Sequence, residues 1–161
     1  MIVVCDASPL IALLAVDRID LLEQLFGSVI IPPAVCEEVF GSTEGRQQLP
    51  CPAFITVATL AADTPARFLK MNLHAGESEA ISLALERNSD LIVLDDKMAR
   101  ETAQRLGLRV VGTLGLLMLA KERGLIPAIR SLMIQLMERI SFRISPSVLN
   151  KALSLLNEPL L

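Results

Sequence analysis

Tryptophan and tyrosine are missing from this 161-residue chain, and five phenylalanines are its whole aromatic complement beyond one histidine. An extended aromatic platform, the common way to hold single-stranded nucleic acid, is therefore largely excluded, and a nucleic-acid contact has to rest on charge and backbone. The single histidine, His74, allows no network of imidazole bases or ligands and reads first as a surface residue flanking a helix. The three cysteines, Cys5, Cys36 and Cys51, form no CxxC pair and are odd in number. They read as small buried hydrophobes in a reducing compartment. No apolar run approaches the ~18 residues of a membrane span. The apolar start of the chain lacks a basic flank and is interrupted by Asp6 and Pro9, so no signal peptide is expected. These absences lead to the expectation of a cytoplasmic protein with no membrane contact. GxSxG, HExxH, Walker A and GxGxxG are all absent, which removes the usual serine hydrolase, zinc protease, kinase and dinucleotide-binding chemistries.

What is present is a folding sequence. Hydrophobic residues make up 52% and charged residues 20%, and the length suits one domain, residues 1–161, with a sizeable core. The net charge of −3 hides a division: residues 1–96 carry 14 acids against 5 bases, and residues 97–161 carry 4 acids against 10 bases. Solvated helix faces account for much of this. An acidic cluster beside a basic surface would in addition suit a cation together with a polyanion.

Strands are expected at 2–5, 28–33, 53–59, 91–95 and 108–112. Helices are expected at 9–16, 18–26, 33–41, 75–88, 96–107, 113–123, 126–140 and 146–156, with a polar loop over 41–52. The strands are continuous apolar runs rather than alternating ones, as a parallel sheet covered on both faces requires. The fold class expected is α/β, a mostly parallel central sheet flanked by helices in three layers, with a helical C-terminal extension from about residue 125.

Two strands run directly into acids. "IVVCDASPL" (2–10) ends its apolar run at Asp6, and "DLIVLDDKMAR" (90–100) does the same at Asp95 and Asp96. In open α/β sheets the carboxyl edge of the strands carries the ligand site. Glu37-Glu38 and Glu77/Glu79 lie on helices that can converge there. Two like charges ~4 Å apart repel by roughly 4 kcal/mol at an effective dielectric of 20, so such a cluster calls for a cation, and oxygen donors favour Mg²⁺ or Mn²⁺. Carboxylates with a divalent ion point to hydrolysis of a phosphodiester.

"VVCDASPLIAL", "IPPAVCEEV", "AGESEAISLALE" and "LIVLDDKMARETAQRLGLRVVGTLGLLMLAKERGLI" together resemble a PIN-domain protein, of the small stand-alone branch similar to the toxins of VapBC-type toxin–antitoxin pairs. The resemblance spans about residues 2–145 and is specific as an ordered set. It implies a Mg²⁺- or Mn²⁺-dependent ribonuclease, with RNA as substrate and an antitoxin protein and a second copy of the chain as partners. Asp6 matches the first acid, with Ser8 either orienting it or capping the following helix. Glu38 matches the second acid, leaving Glu37 to solvent. Glu79 matches the third and Asp95 the fourth, while Asp96 serves as a further ligand or as a helix cap. The helical wheel competes at one point, since Glu77 lies nearer the Ala80, Ile81, Ala84 stripe than Glu79 does. Glu79 is the first choice and Glu77 the second. Lys97 and Arg100 either contact phosphate or form a solvated helix face. Thr113 could cap the next helix, and Gly112 permits close backbone approach.

Near the C-terminus, Ile129, Leu132, Met133, Leu136, Met137 and Ile140 form a helical stripe, followed by Leu149, Leu153 and Leu156. With a mean hydropathy of +0.53, this surface serves either as internal core or as an interface. Two other functions stay open at this point. One is a non-catalytic interaction domain on the same fold. The other is a phosphorylation receiver domain, which wants an acid pair after the first strand where "CDAS" offers one acid.

Overall fold

The computed structural model describes residues 1–42, 44–45, 47–61 and 64–161. Along them run β1 (Val3–Cys5), α1 (Ala7–Ala15), α2 (Asp20–Phe26), β2 (Val29–Ile31), α3 (Pro33–Phe40), β3 (Ile55–Val57), α4 (Thr64–Leu69), α5 (Ala75–Glu86), β4 (Leu91–Val93), α6 (Lys97–Arg105), β5 (Val110–Val111), α7 (Thr113–Glu122), α8 (Arg130–Ile140) and α9 (Pro146–Leu155). The five strands form one parallel sheet in the order β3-β2-β1-β4-β5. Crossovers between parallel strands need connections of a dozen or more residues, which the intervening helices supply. The result is the α/β architecture expected from the sequence.

Alternation along the strands splits the core in two. Val3 and Cys5 of β1 join one apolar cluster, with side chains from α1, α2, α3, α7, α8 and α9. Val4, between them, joins a second cluster with Ala80, Ile81 and Ala84 of α5 and Ala99 and Ala103 of α6. Small residues on α5 and α6 let these helices lie close to the sheet.

Three local differences from the sequence reading have physical causes. Helix α4 was not anticipated, because six residues with Pro65 in second position make too short a period to recognise. Helix α8 begins at Arg130, not 126, because the Glu158 carboxylate accepts the Ile129 and Arg130 amides at 2.7 and 2.8 Å and caps the helix there. The cysteines divide: Cys5 is buried, Cys36 partly so and Cys51 exposed, so Cys51 is not the buried hydrophobe expected.

The C-terminal stripe is largely internal. Ile129, Met133, Leu136, Leu149 and Leu153 are buried, while Ile140 and Val148 are exposed. Among the described residues no helix is long and apolar enough to cross a membrane.

Candidate active site at the carboxyl edge of the sheet

Strands β1 and β4 are central neighbours in register Cys5↔Val93, and the Asp6 amide extends their ladder by donating to the Val93 carbonyl at 3.0 Å. Asp6 and Asp95 therefore leave the sheet side by side. The backbone turns immediately after each strand. Asp6 holds the extended N-cap position of α1, with φ −85° and ψ 170°, and Asp96 holds that of α6, accepting the Ala99 amide at 2.9 Å.

The helices bring in the glutamates. Glu38 comes from the second half of α3 and Glu77 from the first turn of α5, where its carboxylate accepts the His74 amide at 3.1 Å. Gly76 explains how α3 and α5 come close enough. A Cβ at this position would stand 3.2 Å from Glu38 Oε2 and 3.6 Å from Asp6 Oδ1, so the missing side chain leaves room for both carboxylates. Gly112 does the same on the other side, where a Cβ would meet Asp95 Oδ1 at 3.1 Å. The next residue, Thr113, clamps Asp95 by donating its amide to Oδ1 at 2.7 Å and its hydroxyl to Oδ2 at 2.6 Å.

The electrostatics follow from this packing. Asp6 is 2% exposed. Burial, with Glu77, Glu38 and Asp95 adding repulsion and the Ala7 amide opposing, pushes its carboxyl from 3.8 up to about 7. Burial also raises Glu77, with Asp96 and Glu38 contributing repulsion against the His74 amide. Asp95 is raised by burial as well, although the two Thr113 bonds and the Arg100 guanidinium pull it down. Three carboxyls raised together mark a place that favours added positive charge.

The donor set of Asp6, Glu38, Glu77 and Asp95 is all oxygen and fits a hard divalent cation. Among the described residues, no three such side chains close to the spacing of a shared ion. Mutual repulsion opposes that closure until positive charge is supplied.

Several sequence expectations are redirected. The Glu79 carboxylate accepts the Ala34 amide at 3.1 Å and stands 3.8 Å from Lys70 Nζ. It caps α3, while Glu77, the second choice, faces the other acids. Ser8 is not a helix cap; it lies exposed in the first turn of α1 and lines the cavity at the site. Thr113 follows the cap position, which Gly112 occupies, and acts on Asp95 instead. Asp96 is a cap on the rim. Glu37 is exposed, as expected.

A groove of about 910 Å³ opens from these acids. Ser8, His74, Glu77, Asp95 and Asp96 line its acidic part, and Lys97 and Arg100 follow on α6. The rest of its wall is largely apolar and includes Ile11, Val111, Met118, Phe142, Ile144 and Val148. Sequence reasoning missed Gly76 and the 140–148 wall. The glycine in the first turn of a helix, directly before Glu77, was the available signal for the first. Nothing in the local sequence of the second points across to the strand ends.

A parallel sheet whose central strands deliver acids to their carboxyl edge, with acids from two helices facing the same edge, is an α/β protein with its candidate site where such folds carry ligands. A sequence profile for the PIN domain matches residues 2–158, and the chain belongs to the PIN-domain family. Comparison with curated proteins and with solved structures yields no match in either case.

Proposed function

We propose that this chain is a Mg²⁺- or Mn²⁺-dependent endoribonuclease that hydrolyses RNA phosphodiester bonds. The observation that carries the reading is the convergence of Asp6, Glu38, Glu77 and Asp95 at the carboxyl edge of the sheet, where Gly76 leaves room for Asp6 and Glu38 and Thr113 clamps Asp95. Family membership supports nuclease chemistry in general, and PIN domains typically use divalent metal ions. Asp6, Glu38, Glu77 and Asp95 would hold the cation, with Asp96 on the rim. When bound, such an ion lowers the pKa of water and offsets charge on phosphate oxygens. Thr113 fixes the orientation of Asp95, Lys97 and Arg100 attract the phosphate backbone, and Ser8 lines the entrance to the acids. A non-catalytic PIN-like domain would be expected to lack acids at this edge; here Glu77 stands in where Glu79 turns away, which supports the catalytic reading.

The test is cleavage of single-stranded RNA by the purified protein with Mg²⁺ or Mn²⁺, with chelator, and by Asp6→Asn. Cleavage that needs the ion and is lost in Asp6→Asn is expected. Undiminished, ion-dependent cleavage by Asp6→Asn refutes the assignment.

The narrower part of the proposal is that this nuclease is the toxin of a VapBC-like pair, acting in the cytoplasm with an antitoxin and a second copy as partners. The sequence resemblance supports it, and exposed Leu155, Leu160 and Leu161 offer apolar surface outside the groove to a partner. Light scattering at micromolar concentration, alone and with the product of a small neighbouring gene, checks it. A monomer that binds neither partner overturns it.

A further inference from the structure

Phe142 is the only phenylalanine among the described residues that line the groove. Its ring is half-buried and packs against the larger apolar cluster, so it is held in place. Ile11, Val111, Leu114, Met118 and Ile144 line the same groove, each partly buried. Three exposed cations line it too: Lys97 and Arg100, which follow the acids in sequence, and Arg143, which follows Phe142. The groove thus joins a set of carboxylates, three positive charges, of which Arg100 already faces Asp95, and one apolar stretch with a fixed ring.

That combination matches a polymer in which flat, weakly polar rings alternate with anionic phosphates. A protein segment complementary to three cations would carry acids, and these would meet Glu77, Asp95 and Asp96 at the end of the same groove. A base inside a duplex cannot reach a ring in a groove wall, whereas a base of a single strand can turn out and stack. We infer that the apolar stretch is a base subsite: one nucleotide of single-stranded RNA stacks its base on Phe142, while Arg143, Lys97 and Arg100 hold neighbouring phosphates. The inference rests on the nuclease reading above and adds how the substrate is seated.

The experiment measures binding without cleavage. Fluorescence anisotropy of the full-length Asp6→Asn protein, in chelator, compares a short labelled RNA with the same strand carrying abasic riboses. Intact RNA should bind roughly tenfold more tightly than the abasic strand, as one stacked base provides. Phe142→Ala in that background should erase the preference and Phe142→Tyr should keep it. Val148 is 51% exposed in the same wall, so Val148→Glu changes the groove without opening the core and should weaken binding of intact RNA severalfold.

Equal binding of intact and abasic strands overturns the inference. So does a preference that survives both Phe142→Ala and Val148→Glu, the result expected if the groove seats a protein segment instead. Failure of the nuclease reading shows separately, as a wild-type protein that prefers intact RNA through Phe142 and never cleaves it.

Discussion

Replacing Asp6 by asparagine should stabilise the metal-free protein, by an amount that depends on pH. In the folded chain the Asp6 carboxyl titrates near 7 rather than 3.8, because it is buried and faces three other acids. The folded state therefore binds a proton that the unfolded state has released, over the window from about pH 4 to 7. A group whose folded pKa is raised in this way makes the fold less stable as pH rises through that window. A difference of this size corresponds to at most about 4 kcal/mol of destabilisation once Asp6 is ionised. Asparagine has nearly the same volume and no charge, so Asp6→Asn removes this penalty. At about 2–4 °C per kcal/mol for a chain of this length, the variant should melt up to roughly 8–16 °C higher at pH 8. The advantage should shrink steadily towards pH 5. Thermal melts followed by circular dichroism, in chelator, at pH 5, 6, 7 and 8, measure this directly. Saturating Mn²⁺ should then close most of the gap, because an ion at 100 times its Kd stabilises the wild type by about 2.7 kcal/mol and the variant has lost a ligand charge. If the variant melts no higher than wild type at pH 8, or if its advantage does not vary with pH, Asp6 is not the repelled, buried acid described here.

Gly76→Ala should leave the melting temperature within a few degrees of wild type while lowering Mn²⁺ affinity about tenfold, since the new methyl displaces a ligand rather than the core; calorimetric titration separates the two effects. Glu77→Gln should abolish RNA cleavage with the fold retained, because glutamine can still accept the His74 amide. Glu79→Gln should retain cleavage and cost about 0.5–1 kcal/mol through a weaker cap on α3, and the reverse outcome in a cleavage assay would restore Glu79 as the third acid. Glu158 is 5% exposed. Burial alone would raise its carboxyl, but the Lys121 ammonium at 2.7 Å and the Ile129 and Arg130 amides outweigh it and hold it below the usual range. Its stabilising contribution is therefore present above about pH 4.5 and lost as pH falls through the lowered folded value. Glu158→Gln should cost about 2–3 kcal/mol at pH 7 and less at pH 3, measured by urea unfolding.

The fold could be read from the chain because its strands are doubly buried. "VVC", "VII" and "LIV" are apolar without alternation, and each is followed by a helix with its own period. The acids at the strand ends were readable for the same reason, since Asp6 and Asp95 interrupt runs in which a charge is otherwise costly. The third acid was harder. Glu77 and Glu79 differ by two positions on one helix, and the choice turns on where α5 begins and on Ala34, an amide 45 residues away in sequence. Periodicity favoured Glu77 and the motif favoured Glu79; the geometry sides with the period. Of the alternatives for Ser8 and Thr113, helix capping alone is displaced, because Asp6 and Gly112 take the cap positions and cap and first-turn residues share the same composition. The groove wall over 140–148 could not be anticipated, since it is assembled from residues of α1, β5, α7 and the chain between α8 and α9 that are far apart in sequence.

The position of β1 in the middle of the sheet carries a consequence for how the protein comes into being. One flank of β1 pairs with β2, within thirty residues, but the other waits for β4, Val3 meeting Leu91 and Cys5 meeting Val93. A chain emerging from the ribosome holds Asp6 and Glu38 early, yet Asp95 has no neighbour until the strand beside Asp6 has found its late partner. Non-local pairing of this kind is slow to form, and until it forms, one edge of β1 stands open as a template for wrong strands. Nascent or truncated chains ending before β4 should thus be catalytically silent and prone to aggregate. Competence would come as an abrupt event late in synthesis rather than growing with chain length.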